Sequence, residues 1–170
     1  MSSFTSSLLV RKHSHRSMGF TLIEMMFVIL IIAVLSVLAI PSMQEYMTNA
    51  RRAEAKTIVL RGALWMERNQ SGSYSYATDS SGAALTSGSL NSVGLGRSPE
   101  NGNTVYYKIV LNTPVNPASF EIYAYPTNGQ DVRDATCGTL VVNHLGQRGI
   151  SIGGAAPVYN SSVSKDCWAR

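Results

Sequence analysis

Residues 20–40 read FTLIEMMFVILIIAVLSVLAI, an apolar run interrupted only by Thr21, Glu24 and Ser36. A helix of this length, rising about 1.5 Å per residue, extends roughly 31 Å and matches a bilayer hydrocarbon core of about 30 Å. The segment is expected to span a membrane. Beyond Pro41 the pattern turns amphipathic. Met43, Tyr46, Met47, Ala50, Ala53, Leu60, Leu64 and Trp65 fall within one broad arc at about 100° per residue. This predicts a second helical half over 41–70 whose opposite side carries Glu45, Thr48, Arg52 and Lys56, with Glu54 and Arg61 intruding on the apolar arc. Pro41 lacks a backbone donor and is expected to kink or loosen a continuous helix.

From 71 to 103 the chain is rich in Ser and Gly (SGSYSYATDSSGAALTSGSL, then SPENGN), which predicts a long exposed loop or flexible connector. Three strand candidates follow at 105–111 (VYYKIVL), 119–125 (SFEIYAY) and 139–143 (TLVVN). In the second, Phe120, Ile122 and Ala124 alternate with Ser119, Glu121, Tyr123 and Tyr125, so one side packs inward. The breakers NTPVNPA and PTNGQDVRDA separate the three. The fold class is therefore α+β: a long helix, membrane-spanning in its first half, whose apolar arc is covered by a small antiparallel sheet spanning 104–170.

Charge locates the N-terminal boundary. The chain of 170 residues has 14 Lys and Arg against 10 Asp and Glu, net +4, but Arg11, Lys12 and Arg16 all precede Gly19. Losing residues 1–19 leaves eleven basic against ten acidic residues, +1, which is not the composition of a strongly basic nucleic-acid binder. A secretory signal places its apolar region before the cleavage site. Here Ser-Met-Gly at 17–19 comes before the apolar run, so a cut after Gly19 keeps that run with the protein. Basic residues on its N-terminal side predict a cytoplasmic N-terminus and an exported remainder. Glu24 then requires an explanation, because an ionised group deep in a bilayer costs on the order of 2.5–3.5 kcal/mol. It has two physical partners: the positive end of the helix dipole, and the α-amine that cleavage would create on Phe20 of a neighbouring subunit. The second pairing would fix axial register in a bundle of identical helices.

The run GFTLIEMMFVILIIAVLSVLAIP resembles the leader junction and N-terminal helix of type IV pilins and pseudopilins. The resemblance implies that Gly19 precedes the prepilin peptidase cut, that Phe20 is the N-methylated first residue, that Glu24 is the filament-assembly glutamate and that Pro41 is the kinking proline. It also implies an αβ-loop over 71–103. The C-terminal run YAYPTNGQDVRDATCGTLVVNHLGQRG, ending in KDCW, resembles PilE-like minor pilins with a disulfide-bounded D-region over 137–167. Other pilins, prepilin peptidase and the inner membrane are the implied partners, and the implied location is a single-pass inner-membrane precursor with a periplasmic C-terminus, later a cell-surface pilus. The implied function is that of a minor pilin that enters or primes the pilus in adhesion, twitching motility or filament assembly.

Cys137 and Cys167 are the two cysteines, and an exported chain makes one disulfide of them. Closing a loop of about 30 residues contributes roughly 3–4 kcal/mol on the chain-entropy model. Trp168 beside the bridge reads as a packing residue. No metal or cofactor is expected: His13 and His15 leave with residues 1–19, His144 stands alone, and the aspartates of NGQDVRD read as a polar turn before they read as a weak calcium site. No constellation of catalytic groups stands out, so the chain is not read as an enzyme. Two alternatives stay open. Some minor pilins with this C-terminal pattern are DNA-uptake receptors, and Arg97, Lys108, Arg133, Arg148, Lys165 and Arg170 are the candidates for a DNA-binding patch. A type II secretion pseudopilin shares the N-terminal chemistry.

Overall fold

The computed structural model describes residues 19–112 and 115–169, apart from the Leu38 side chain. Arg11, Lys12, Arg16 and Arg170 lie outside this range. Helix α1 (Leu22–Ser73) is the longest element and contains Pro41, across which it stays helical. The chain divides at that proline into two units, which are taken separately.

In the first unit, residues 19–40, the apolar side chains project without cover. Phe20, Leu22, Ile29, Val34 and Val37 are all exposed. This stretch is long and apolar enough to cross a membrane. Its two hydroxyls are engaged locally. Thr21 Oγ1 accepts from the Glu24 backbone N–H at 3.3 Å, one half of a Thr-x-x-Glu capping box, and Ser36 Oγ donates to Ile32 O at 2.7 Å.

The second unit holds the rest of α1, α2 (Ser89–Ser92), α3 (Gln130–Arg133), α4 (Ser162–Ala169) and six strands: β1 (Arg97–Ser98), β2 (Tyr107–Leu111), β3 (Glu121–Pro126), β4 (Thr139–Asn143), β5 (Arg148–Ser151) and β6 (Val158–Tyr159). They form one antiparallel sheet in sequence order. Ile109, Ile122, Ala124, Leu140, Val142 and Ile150 line its inner face and meet Ala55, Ile58, Val59 and Met66 of α1 in a single core. Helix and sheet approach closely at Gly62, where an added Cβ would lie 3.2 Å from Ile122 Cδ1.

The helix presents the sheet with a different arc from the one the periodicity favours. Met43, Tyr46, Met47, Ala50, Ala53 and Leu64 face outward, Leu60 and Trp65 pack only partly against the core, and Thr48, Arg52 and Lys56 are buried. The reason is that these polar side chains find partners. Arg52 Nη1 donates to Asp134 Oδ1 at 2.9 Å, and its guanidinium also meets Asn49 and the Cys137 sulfur. Tyr107 Oη donates to Asp134 Oδ2 at 2.7 Å, while Gln130 Nε2 donates to Thr48 O at 3.0 Å and to Tyr107 Oη at 3.2 Å. Lys56 Nζ donates to Trp168 O and Cys167 O at 3.2 and 3.4 Å, at the end of α4. Paired and hydrogen-bonded, such groups are tolerated inside. Burial pushes the Asp134 carboxyl up from its ordinary value, only partly offset by Tyr107 and Arg52, and burial together with Arg52 pushes the Lys56 ammonium down.

The Ser-rich segment also departs from a structureless loop. It contains α2 and β1, and Tyr76, Leu90 and Leu95 are buried in the core. These three, with the partly buried Leu85, plug into the core, while Tyr74 and Val93 stay exposed. The segment between the cysteines is likewise ordered, by β5, β6 and α4 in addition to the Cys137–Cys167 bridge. Trp168 is buried and its Nε1 donates to Gly149 O at 3.0 Å. On the outer face of the sheet, Tyr123 and Tyr159 donate to the two oxygens of Glu121 at 2.8 and 2.7 Å, so Tyr159 reaches from β6 across to β3.

Candidate functional site

At the N-terminal end, Gly19 and Phe20 precede α1 and are exposed, and Glu24 sits in the first helical turn. The only Asp, Glu, Lys or Arg in residues 20–40 is therefore placed where the helix dipole favours an anion. This geometry leaves the carboxylate available to a group from outside the chain.

The five candidate DNA-binding cations among the described residues do not form one patch. Arg97 and Lys108 are Cα partners on β1 and β2, and Lys108 is also opposite Tyr125. Because strand side chains alternate, Lys108 lies on the outer face, flanked by the inward Tyr107 and Ile109. Arg97 spends its guanidinium on the Pro99 and Gly102 carbonyls, so it secures its own loop. Arg133 is exposed on α3, beside a cleft that also contains Glu45, Asp134 and Asp166. That acidic lining makes it a poor seat for a polyanion. Arg170 is outside the described residues.

Arg148 and Lys165 do come together. Arg148 is the Cα partner of Val142, which places it on the inner face of β5, opposite in sense to Lys108 and three strands away, or about 14 Å at 4.8 Å per strand. There α4 docks against β5 through the Ser164 hydroxyl, which donates to Arg148 O at 2.8 Å, and through Trp168. The Arg148 guanidinium lies 5.7 Å from the Trp168 ring centroid. A cleft of about 360 Å³ results, lined by Gln147, Arg148, Asn160, Ser164, Lys165 and Trp168 and, among the described residues, by no carboxylate. Two cations with uncharged polar neighbours suit a phosphate-bearing ligand. Sequence reasoning named both cations but missed Gln147 and Asn160, which carry no charge to draw attention to them.

Comparison with known proteins covers the N-terminal helix and the head as far as residue 141. Residues 41–141 match the family described as type IV minor pilin ComP, DNA uptake sequence receptor, and residues 16–40 match the prokaryotic N-terminal methylation motif. The type IV major pilin protein PilE1 of Neisseria gonorrhoeae is 38% identical over 80 residues, 41% of this chain and 37% of that protein. PilA of Myxococcus xanthus (strain DK1622), also a type IV major pilin, is 42% identical over 48 residues, 28% and 22% of the respective lengths. The matches thus span well under half of these relatives. A type IV pilin structure from Shewanella oneidensis is 25% identical, covering 59% of this chain and 89% of that one with a TM-score of 0.40. With the family match extending over most of the head and the methylation motif lying across the apolar run, the chain belongs to the type IV minor pilins of the ComP family.

Proposed function

We propose that this minor pilin is cut between Gly19 and Phe20 by prepilin peptidase, methylated on Phe20, and drawn from the inner membrane into a pilus by helix packing in which Glu24 sets the axial register. The observation that carries this is the uncovered apolar stretch 20–40 with Glu24 as its sole charged side chain. Such a surface needs lipid around it before assembly and neighbouring helices afterwards, and its carboxylate needs the Phe20 amine of another subunit. The head then sits in the periplasm before assembly and on the cell surface afterwards. Glu24→Ala is expected to leave membrane insertion and cleavage intact while removing the subunit from sheared pili. Unchanged incorporation would reject the register role.

A second reading concerns what the head presents. The Arg148 and Lys165 cleft, with no carboxylate among the described residues that line it, supports binding of duplex DNA through its phosphates on a chain of this family. Each phosphate contact contributes a slope of about −0.9 in log K against log salt. The full-length protein in detergent should retain DNA in a salt-sensitive way, and Arg148→Ala or Lys165→Ala should each reduce the slope by about 1. Retention indifferent to salt, or to both substitutions, would count against this cleft.

A further inference from the structure

We infer that Asn160 is the side chain in this cleft that reads base edges, while Arg148 and Lys165 hold phosphates. The inference rests on the duplex-DNA reading above and assigns the specificity-determining residue within it. Phosphate contacts position a protein but carry no sequence information; base edges do. The question is which uncharged group in the cleft is free to meet a base.

Most are already committed. The Ser164 hydroxyl donates to Arg148 O at 2.8 Å, Trp168 Nε1 donates to Gly149 O at 3.0 Å, and Gln147 Oε1 accepts from Asn143 Nδ2 at 2.8 Å, so that Gln147 keeps its amide donors but has its oxygen engaged. The Asn160 carboxamide takes no hydrogen-bond partner among the described residues, and the residue is exposed. It has both a donor and an acceptor to offer, the pair that matches the N6 and N7 edge of adenine in the major groove.

Its backbone is fixed from both sides. Tyr159 is tied by its hydroxyl to Glu121 at 2.7 Å, and its ring lies over Gly149, where an added Cβ would come within 2.6 Å of the ring. On the other side, Ser161 Oγ accepts from Ser164 N at 3.0 Å and Ser161 O accepts from Lys165 N at 2.9 Å. Between these anchors Asn160 adopts φ of 58°, a left-handed conformation that Asn tolerates better than most residues. The carboxamide is thus presented on a preorganised loop that lines the same cleft as the two cations.

The test is selection of duplexes randomised at their centre by the full-length protein in detergent. Asn160→Gly removes the amide while accepting the left-handed backbone, and Asn160→Asp keeps the shape but only accepts hydrogen bonds. The native protein is expected to enrich adenine at one position by about 10-fold. Asn160→Gly should lose that enrichment with the salt slope unchanged, and Asn160→Asp should shift it towards cytosine, whose N4 donates. An unaltered sequence profile in Asn160→Gly overturns the inference, as does salt-sensitive retention by the native protein with no sequence preference; the duplex-DNA reading survives both. No salt-sensitive retention at all overturns that reading and the inference together.

Discussion

The two stretches of α1 on either side of Pro41 handle polarity in opposite ways. Residues 20–40 are apolar all round and uncovered, with one carboxylate, whereas in residues 41–73 an apolar arc faces outward while Thr48, Arg52 and Lys56 lie inside. Hydrophobic burial favours the apolar arc by about 25 cal/mol per Å². In the second stretch that preference is overridden because the opposite arc combines Ala55, Ile58, Val59 and Met66 with polar residues whose every charge meets a partner. Periodicity reports where the apolar residues are. It does not report what will cover them.

The largest expected effect comes from breaking the buried pair. Asp134→Ala leaves the Arg52 guanidinium inside with its anion gone, and should cost about 3–5 kcal/mol in denaturant unfolding of the full-length protein in detergent. The double replacement Arg52→Met with Asp134→Leu should recover part of this loss, since an apolar pair of similar volume often matches a buried ion pair, while the Tyr107 hydroxyl stays without its acceptor. If Asp134→Ala costs no more than an ordinary surface change, Arg52 does not face inward and the contrast between the two stretches collapses.

The next effect separates stability from assembly. Tyr46→Ser and Leu64→Ser lie on the outward arc, 67% and 65% exposed, and should change unfolding stability by less than about 0.5 kcal/mol. Ile58→Ser, on the buried arc, should cost several times more. If the outward arc is covered by neighbouring subunits, Tyr46→Ser and Leu64→Ser should deplete the protein from sheared pili despite normal stability. Equal and large stability losses at all three positions would restore the arc that periodicity favours.

Much of this architecture is legible in the sequence where a long run or clear alternation carries it. The 20–40 run, the helix beyond it, the strands β2 to β4 and the cystine all follow from local pattern or compartment. Strands β1, β5 and β6 do not, because two to four residues are too few to show a period and they exist through pairing with neighbours already in place. The burial of Arg52 and Lys56 is hidden for a different reason: their partners lie 82 and 111 to 112 residues away. The cleft follows the same logic. Arg148 and Lys165 look no different from the other basic residues until α4 folds back on β5, which also separates them from Lys108 on the other face.

The finest test of the buried arc is the pH dependence of Lys56. Its ammonium is held below the ordinary value of 10.5, first by burial and then by Arg52. Between the folded value and 10.5 the unfolded chain binds more protons than the folded one, so this group makes stability rise with pH across that window. Below the window both states are charged and no slope arises. Tyr107, Tyr123 and Tyr159 are shifted upward, chiefly by burial, and pull the other way above their ordinary value of 10.0. They are common to Lys56→Met, which keeps the aliphatic stem, so the difference in Tm between the native protein and this variant isolates the lysine. That difference should move in favour of the native protein as pH climbs towards 10.5. A difference that is flat or moves the other way would mean that Lys56 reaches solvent, and that the polar arc of α1 is not the one the sheet covers.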